Sequence, residues 1–133
     1  MISNSNDDFT LDSDGLFVRK AIRYEMRQIS VQGPGTINDA NFGDEGVLRI
    51  SNSGGGSDVF QINGIANGQD GLVLYLLSVG TGPLLINHEN TGSDAANRII
   101  TYSGSNISLN PGRAGFLIYD GTSSRWRAFT FAT

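Results

Sequence analysis

Short apolar runs alternate with polar turn clusters along most of the chain. The runs are Val47 to Ser51, Val59 to Asn63, Leu72 to Val79, Leu84 to Asn87, Arg98 to Ser103, Ile107 to Leu109, Phe116 to Tyr119 and Trp126 to Phe131. Each has the length of a strand and is too short for a typical helix. The separators include Ser53-Gly54-Gly55-Gly56, Asn67-Gly68, Gly80-Thr81-Gly82-Pro83, Asn110-Pro111-Gly112 and Asp120-Gly121. Glycine and asparagine reach positive φ and proline presets φ, so these are turns with a mechanism. Residues 16–31 fit two periods. At a period of two, Leu16, Val18, Ile22, Tyr24 and Met26 share a face opposite Arg19, Ala21, Arg23, Glu25 and Arg27. At 3.6, Val18, Ile22, Met26 and Ile29 align. The longer alternation favours one strand, ended by Gly33-Pro34-Gly35.

The pattern predicts an all-β protein: an antiparallel β-sandwich or jelly roll of about eight or nine strands over residues 16–133, preceded by a flexible docking arm, 1–15. Leu72 to Leu77 is apolar on both faces. Such a strand is buried on both sides, either between layers or against another subunit, unless a loop of the same chain covers Tyr75 and Leu77.

Composition narrows the function. The chain has 133 residues, enough for one domain with one core. No apolar run approaches the roughly 20 residues of a spanning helix, and the N-terminus has no basic n-region or apolar h-region, so neither membrane insertion nor an export signal is expected. The chain contains no cysteine, which removes disulfides and thiolate metal sites. Its net charge of −4 argues against nucleic-acid binding. The charge is uneven: Asp7, Asp8, Asp12 and Asp14 precede the basic Arg19, Lys20, Arg23 and Arg27. That asymmetry suggests docking between subunits or onto a larger assembly, against the plainer reading of a solvated tail and strand face.

Candidate chemistry is sparse. One histidine, His88, cannot supply a zinc site, and no nucleophile motif accompanies it. His88 and Glu89 read as strand-end residues bonded to turn backbone or to Arg98. Asp12-Ser13-Asp14-Gly15 starts like a calcium loop, but Arg23 stands where the last carboxylate should. Asp39, Asp44 and Glu45 read as a solvated acidic loop. The glycines of Gly64 to Asp70 lack the lysine of a phosphate loop. Trp126, flanked by Arg125 and Arg127, either closes the core or stacks on a sugar with arginines nearby. No catalytic, metal or cofactor residue is expected.

Five motifs occur in order: G-x-D-G-x-x-L-x-L (Gly68 to Leu76), I-x-H-E (Ile86 to Glu89), A-x-N-R-I (Ala95 to Ile99), L-x-P-G (Leu109 to Gly112) and L-x-Y-D-G-T-x-x-R-W-R (Leu117 to Arg127). Together they resemble a module of tailed-bacteriophage virion proteins, found in head decoration and head-fibre proteins and in tail-fibre tips. The resemblance covers about half the chain and leaves the first half unassigned. It implies a jelly-roll-like domain that trimerises, without enzymatic activity or cofactor, in a virion assembled in the host cytoplasm.

The leading expectation is a capsid decoration (cement) or head-fibre protein. It would be a homotrimer, contacting itself and the major capsid protein through Phe9, Leu11, Asp12, Asp14, Arg19, Arg23, Arg27, Tyr75 and Leu77. It would involve neither nucleic acid nor membrane. The alternative is the receptor-binding tip of a tail fibre or tail spike, with Tyr102, Tyr119 and Trp126 against host glycan.

Overall fold

An isoleucine followed by asparagine occurs at three matching places, Ile37-Asn38, Ile62-Asn63 and Ile86-Asn87. In the computed structural model these pairs stack on one another, and they mark three successive coils of a parallel β-solenoid. The structure describes residues 9–12, 15–18, 21, 23–43 and 45–130, the first two segments as backbone only. Twelve strands and one 3-10 turn (Ala95–Asn97) make the described residues all-β: β1 (Phe9–Asp12), β2 (Gly15–Val18), β3 (Met26–Val31), β4 (Gly35–Ile37), β5 (Val47–Asn52), β6 (Phe60–Ile62), β7 (Val73–Gly80), β8 (Leu84–Ile86), β9 (Ile99–Thr101), β10 (Ile107–Leu109), β11 (Ala114–Asp120) and β12 (Arg125–Thr130).

Each coil contributes a long strand to one sheet and a short strand to the other. β3, β5 and β7 pair in parallel, as do β4, β6 and β8. Isolated parallel bridges, Ala40 to Ile65 and His88 to Ile99, add a third flank. After the third coil the chain reverses. β10 runs antiparallel on β8, β11 antiparallel on β7, and β12 returns as a hairpin with β11 and pairs in parallel with β9. The result is a six-stranded sheet, β3-β5-β7-β11-β12-β9, facing a four-stranded one, β10-β8-β6-β4.

This corrects the expected antiparallel sandwich. Eight predicted runs coincide with strands, but the coil half pairs in parallel. Periodicity reports which face a residue occupies and says nothing of the partner strand's direction. The missed signal was the repeat. Gly33-Pro34-Gly35-Thr36-Ile37-Asn38 and Gly82-Pro83-Leu84-Leu85-Ile86-Asn87 share G-P-x-x-I-N, and Phe60-Gln61-Ile62-Asn63 stands between them. The single strand predicted over 16–31 is two strands. β2 pairs back on β1, across the expected boundary between arm and domain, and β3 joins the large sheet. The facing also differs: Ile29 and Val31 turn to the core while Met26 turns outward.

The core is a set of stacks. Ile37, Ile62, Ile86 and Ile107 are register neighbours across the small sheet, as are Phe60, Leu84 and Leu109. From the large sheet Leu48, Ile50, Leu74, Leu76 and Leu117 are buried against them. Identical branched side chains at one place in successive coils nest without gaps, which is how a solenoid buries a continuous core.

Two asparagine devices hold the corners. Asn63 Nδ2 donates to Asn38 Oδ1 and Asn87 Nδ2 to Asn63 Oδ1, both at 2.6 Å. At the opposite corner the fully buried Asn52 accepts from the N–H groups of Gly33 (2.8 Å) and Gly54 (3.0 Å) and donates to the carbonyls of Asp58 (2.8 Å) and Pro83 (2.9 Å). Its amide therefore uses two donors and two acceptor sites across three coils. Glycine is required beside it: a Cβ on Gly82 would lie 2.5 Å from Asn52 Nδ2.

Replacing Asn52 with alanine leaves the N–H groups of Gly33 and Gly54 and the Asp58 carbonyl unpaired, while the Pro83 carbonyl keeps the Phe60 N–H. Since each orphan costs about 1–3 kcal/mol and relaxation recovers part of the sum, Asn52→Ala is expected to destabilise the protein by about 3–5 kcal/mol. Urea unfolding followed by tryptophan fluorescence measures this.

Candidate interaction surface

Strand alternation sends every second residue of the large sheet away from the core. On that outer face Met26, Val47, Tyr75, Phe116 and Phe129 are successive Cα partners across β3, β5, β7, β11 and β12. They form one straight row perpendicular to the strands, so it runs along the coil axis. The rings of Tyr75 and Phe116 lie 5.4 Å apart, and those of Phe116 and Phe129 6.1 Å; Tyr24, just before β3, tilts onto Tyr75 at 6.1 Å. These separations suit aromatic packing.

Val73, Ile118, Arg127 and Ile100 make part of a flanking row on one side, and Gln28, Arg49, Leu77 and Ala114 on the other. Met26 and Phe129, at the ends of the central row, are each 45% exposed. The four-stranded sheet packs on the opposite face and does not cover this one. Five strands at about 4.8 Å make the central row roughly 24 Å long. It is apolar throughout, and the rows beside it mix apolar residues with Gln28, Arg49 and Arg127.

Of the residues expected at a subunit contact, Tyr75 and Leu77 lie on this face, half-buried among their lateral neighbours. Arg23 is exposed beyond the start of β3. Arg27 points to the core side of β3, where its Nη1 donates to the Phe42 carbonyl at 2.8 Å and lies 3.8 Å from Glu45. Phe9, Leu11 and Asp12 lie in β1, whose side chains are outside the described set, and Asp14 and Arg19 are outside the described residues altogether. Sequence reasoning picked out β7 but missed Met26, Val47, Phe116 and Phe129. Their common row depends on the register of five strands, and only the alternation within each strand could have hinted at it.

The glycan residues need a correction. Trp126 is 1% exposed, with its indole N–H on the Ile65 carbonyl at 2.8 Å. Tyr119 is buried edge-on against it at 5.3 Å and donates its hydroxyl to the Ala96 carbonyl at 3.0 Å. Neither ring presents a face to solvent. Tyr102 alone of the three is open, at 62%.

The polar motifs bond to one another. Asp70 accepts from the Gly121 N–H at 2.8 Å, and a Cβ on Gly68 would lie 2.1 Å from the Tyr119 ring, so the G-x-D-G and Y-D-G-T turns interlock. Glu89 pairs with Arg125 at 2.7 Å rather than with Arg98, whose Nε donates to the Ser93 carbonyl. His88 Nδ1 lies 3.2 Å from the Thr101 N–H and 3.1 Å from the Thr101 hydroxyl, which ties the ring to β9. Asp39 is not a solvated loop residue: its Oδ1 accepts from the Asp94 N–H and from Asn97 Nδ2, tying the first coil to the loop before β9. Asp44 lies outside the described residues. Among the described residues no three His, Asp or Glu side chains converge to hold a metal.

Comparison of the chain with protein-family models, with characterised proteins and with solved structures finds no match.

Hydrogen bonds from Ser123 and then from Arg127 hold the pKa of Asp120 below the ordinary 3.8. A depressed folded pKa makes a contribution that is complete above the unfolded value and lost as pH falls through the folded one. The loss therefore falls below about pH 4. Asp120→Asn is expected to show a shallower fall in Tm between pH 5 and pH 2 than the unaltered protein, measured by circular dichroism melts.

Proposed function

We propose that this chain is a non-enzymatic structural protein of a tailed-bacteriophage virion, a capsid decoration or head-fibre module that assembles as a homotrimer and binds the capsid. The observation that carries the reading is the aromatic row from Met26 to Phe129. It runs along the coil axis, so copies can pack side by side with their axes parallel, and three such stripes can meet at one threefold axis. Closed cyclic symmetry then buries the face without leaving an open chain of contacts.

Two further features support it. The polar residues a catalyst would use, His88, Glu89 and Asp120, are each engaged in bonds that hold turns together. The ordered motifs between Gly68 and Arg127 resemble those of phage virion modules. In this reading the protein binds the assembled capsid and not its free subunits, so its binding free energy becomes capsid stability.

A second reading, a receptor-binding fibre tip for host glycan, rests on an open groove of about 350 Å³ lined by Asn41, Asn67 and Gln69 with Gly43 and Leu72. Amide side chains suit sugar hydroxyls. It replaces the buried Tyr119 and Trp126 as the place to look. A glycan array separates the two readings. The decoration reading expects no hits; a hit abolished by Asn67→Ala favours the fibre tip.

Light scattering at micromolar concentration is expected to give a trimer for the unaltered protein and a folded monomer for Phe116→Asp. The trimer is further expected to bind empty capsids and raise their melting temperature. An unaltered protein that is monomeric and leaves capsids unbound would reject the decoration reading.

A further inference from the structure

Glycine after asparagine exposes a main chain to reaction with its own side chain. With no Cβ to shield it, the glycine nitrogen reaches the side-chain carbonyl carbon of the residue before it. The chain has two such pairs, Asn63-Gly64 and Asn67-Gly68. As dipeptides they are identical. The fold gives them opposite surroundings.

Asn63 belongs to the asparagine ladder and is buried. Its Oδ1 accepts from Asn87 Nδ2 and its Nδ2 donates to Asn38 Oδ1, both at 2.6 Å. The amide cannot turn toward Gly64 without breaking both bonds inside the protein. Gly64 is itself buried, with Ser93 and the Asn97 carbonyl where a Cβ would lie.

Asn67 stands in the exposed turn that carries the second coil into β7. Its φ of 64° lies in the left-handed region, which asparagine tolerates better than most residues. Its side chain makes one long bond, from Nδ2 to Asn41 Oδ1 at 3.4 Å. Among the described residues, the N–H groups of Asn67, Gly68, Gln69 and Asp70 donate to no backbone carbonyl. A segment held by so few hydrogen bonds opens at little cost. Gly68 meanwhile sits against the Tyr119 ring, too close for a Cβ. Its nitrogen is held in place while the Asn67 side chain is free to swing onto it.

We infer that Asn67 is a site of spontaneous deamidation and that the ladder protects Asn63 from the same reaction. Hydroxide takes the proton of the Gly68 nitrogen, whose electron pair forms a bond to Asn67 Cγ. The Cγ–Nδ2 bond breaks, and Nδ2 takes a proton from water and leaves as ammonia, which restores the hydroxide. The product is a succinimide ring. Water then breaks one of the two bonds to the ring nitrogen. Opening at Cγ leaves aspartate; opening at the main-chain carbonyl leaves isoaspartate, with the chain running through Cγ.

Either product puts a carboxylate where the Asn67 amide donated. The Gly43 N–H, at 3.2 Å, keeps Asn41 Oδ1 as the group it meets, so acceptor then faces acceptor. The side-chain link between the two turns that line the groove is lost, and the groove gains a negative charge. This chemistry is independent of both functional readings.

The test ages the folded, unaltered protein in mildly alkaline buffer and follows it by isoelectric focusing and fragmentation mass spectrometry. Trypsin releases residues 50–98 as one peptide that carries both pairs. Acid is expected at position 67, with Asn63 converted at least about tenfold more slowly, because two buried hydrogen bonds must break first. In urea the two sites are expected to react at comparable rates. Asn67→Gln, whose longer side chain closes a six-membered ring far more slowly, is expected to acidify more slowly than the unaltered protein. Gly68→Ala is unsuitable as the control, because its Cβ would overlap the Tyr119 ring. No acid at position 67, equal conversion of Asn63 in the folded protein, an Asn63 that stays inert in urea, or undiminished acidification of Asn67→Gln overturns the proposal.

Discussion

The amide of Asn52 is the constraint on which the rest of the molecule rests. A solenoid must turn at the same corner in every coil, and each turn brings backbone N–H and C=O groups into a dry interior. One side chain takes up four of them, from Gly33 in the first coil, Gly54 and Asp58 in the second, and Pro83 in the third. A buried polar group left unpaired costs free energy, and here every donor and acceptor of the amide is used. The ladder from Asn87 to Asn38 pins the far end of each short strand through Nδ2 to Oδ1 bonds. Together they determine which residue of one coil lies over which residue of the next.

Register then determines the surface. Because a strand alternates faces, a slip of one residue between coils would send leucines outward and aromatics inward. With register held at the corners, Leu48, Leu76 and Leu74 stay in the core, and Met26, Val47, Tyr75, Phe116 and Phe129 line up outside. The outer row is a consequence of the same bonds that build the core. This is why the proposed function attaches to a sheet face and not to the polar residues of the loops. Those residues are occupied: Asp70 holds Gly121, Glu89 holds Arg125, and Asp39 holds the loop before β9.

Much of the local structure was legible. Apolar runs bounded by glycine, proline and asparagine marked eight strands, and Ile107–Leu109 was placed to the residue. The two-faced character of Leu72 to Leu77 pointed to β7 as a strand with something to bury on each side. β4 was missed because Gly33-Pro34-Gly35 reads as a stop, although Thr36 and Ile37 continue directly into the small sheet. Trp126 stood open between core and surface, since an aromatic flanked by arginines has the same alternation either way. Its burial follows from the Ile65 carbonyl that its indole meets, a contact between residues far apart in sequence.

The sequence by itself determined the secondary structure class, the turns and the division of each strand into two faces, because these depend on neighbours within a few residues. It also held the repeat of Ile-Asn pairs, which specifies stacking once coils are known to stack. Tertiary structure alone decided the direction of pairing, the conversion of a presumed sandwich into a solenoid, and the assembly of five separate residues into one aromatic row. These properties depend on which strand lies beside which. Alternation within a strand is the same whether its neighbour runs parallel or antiparallel, so no local pattern encodes them.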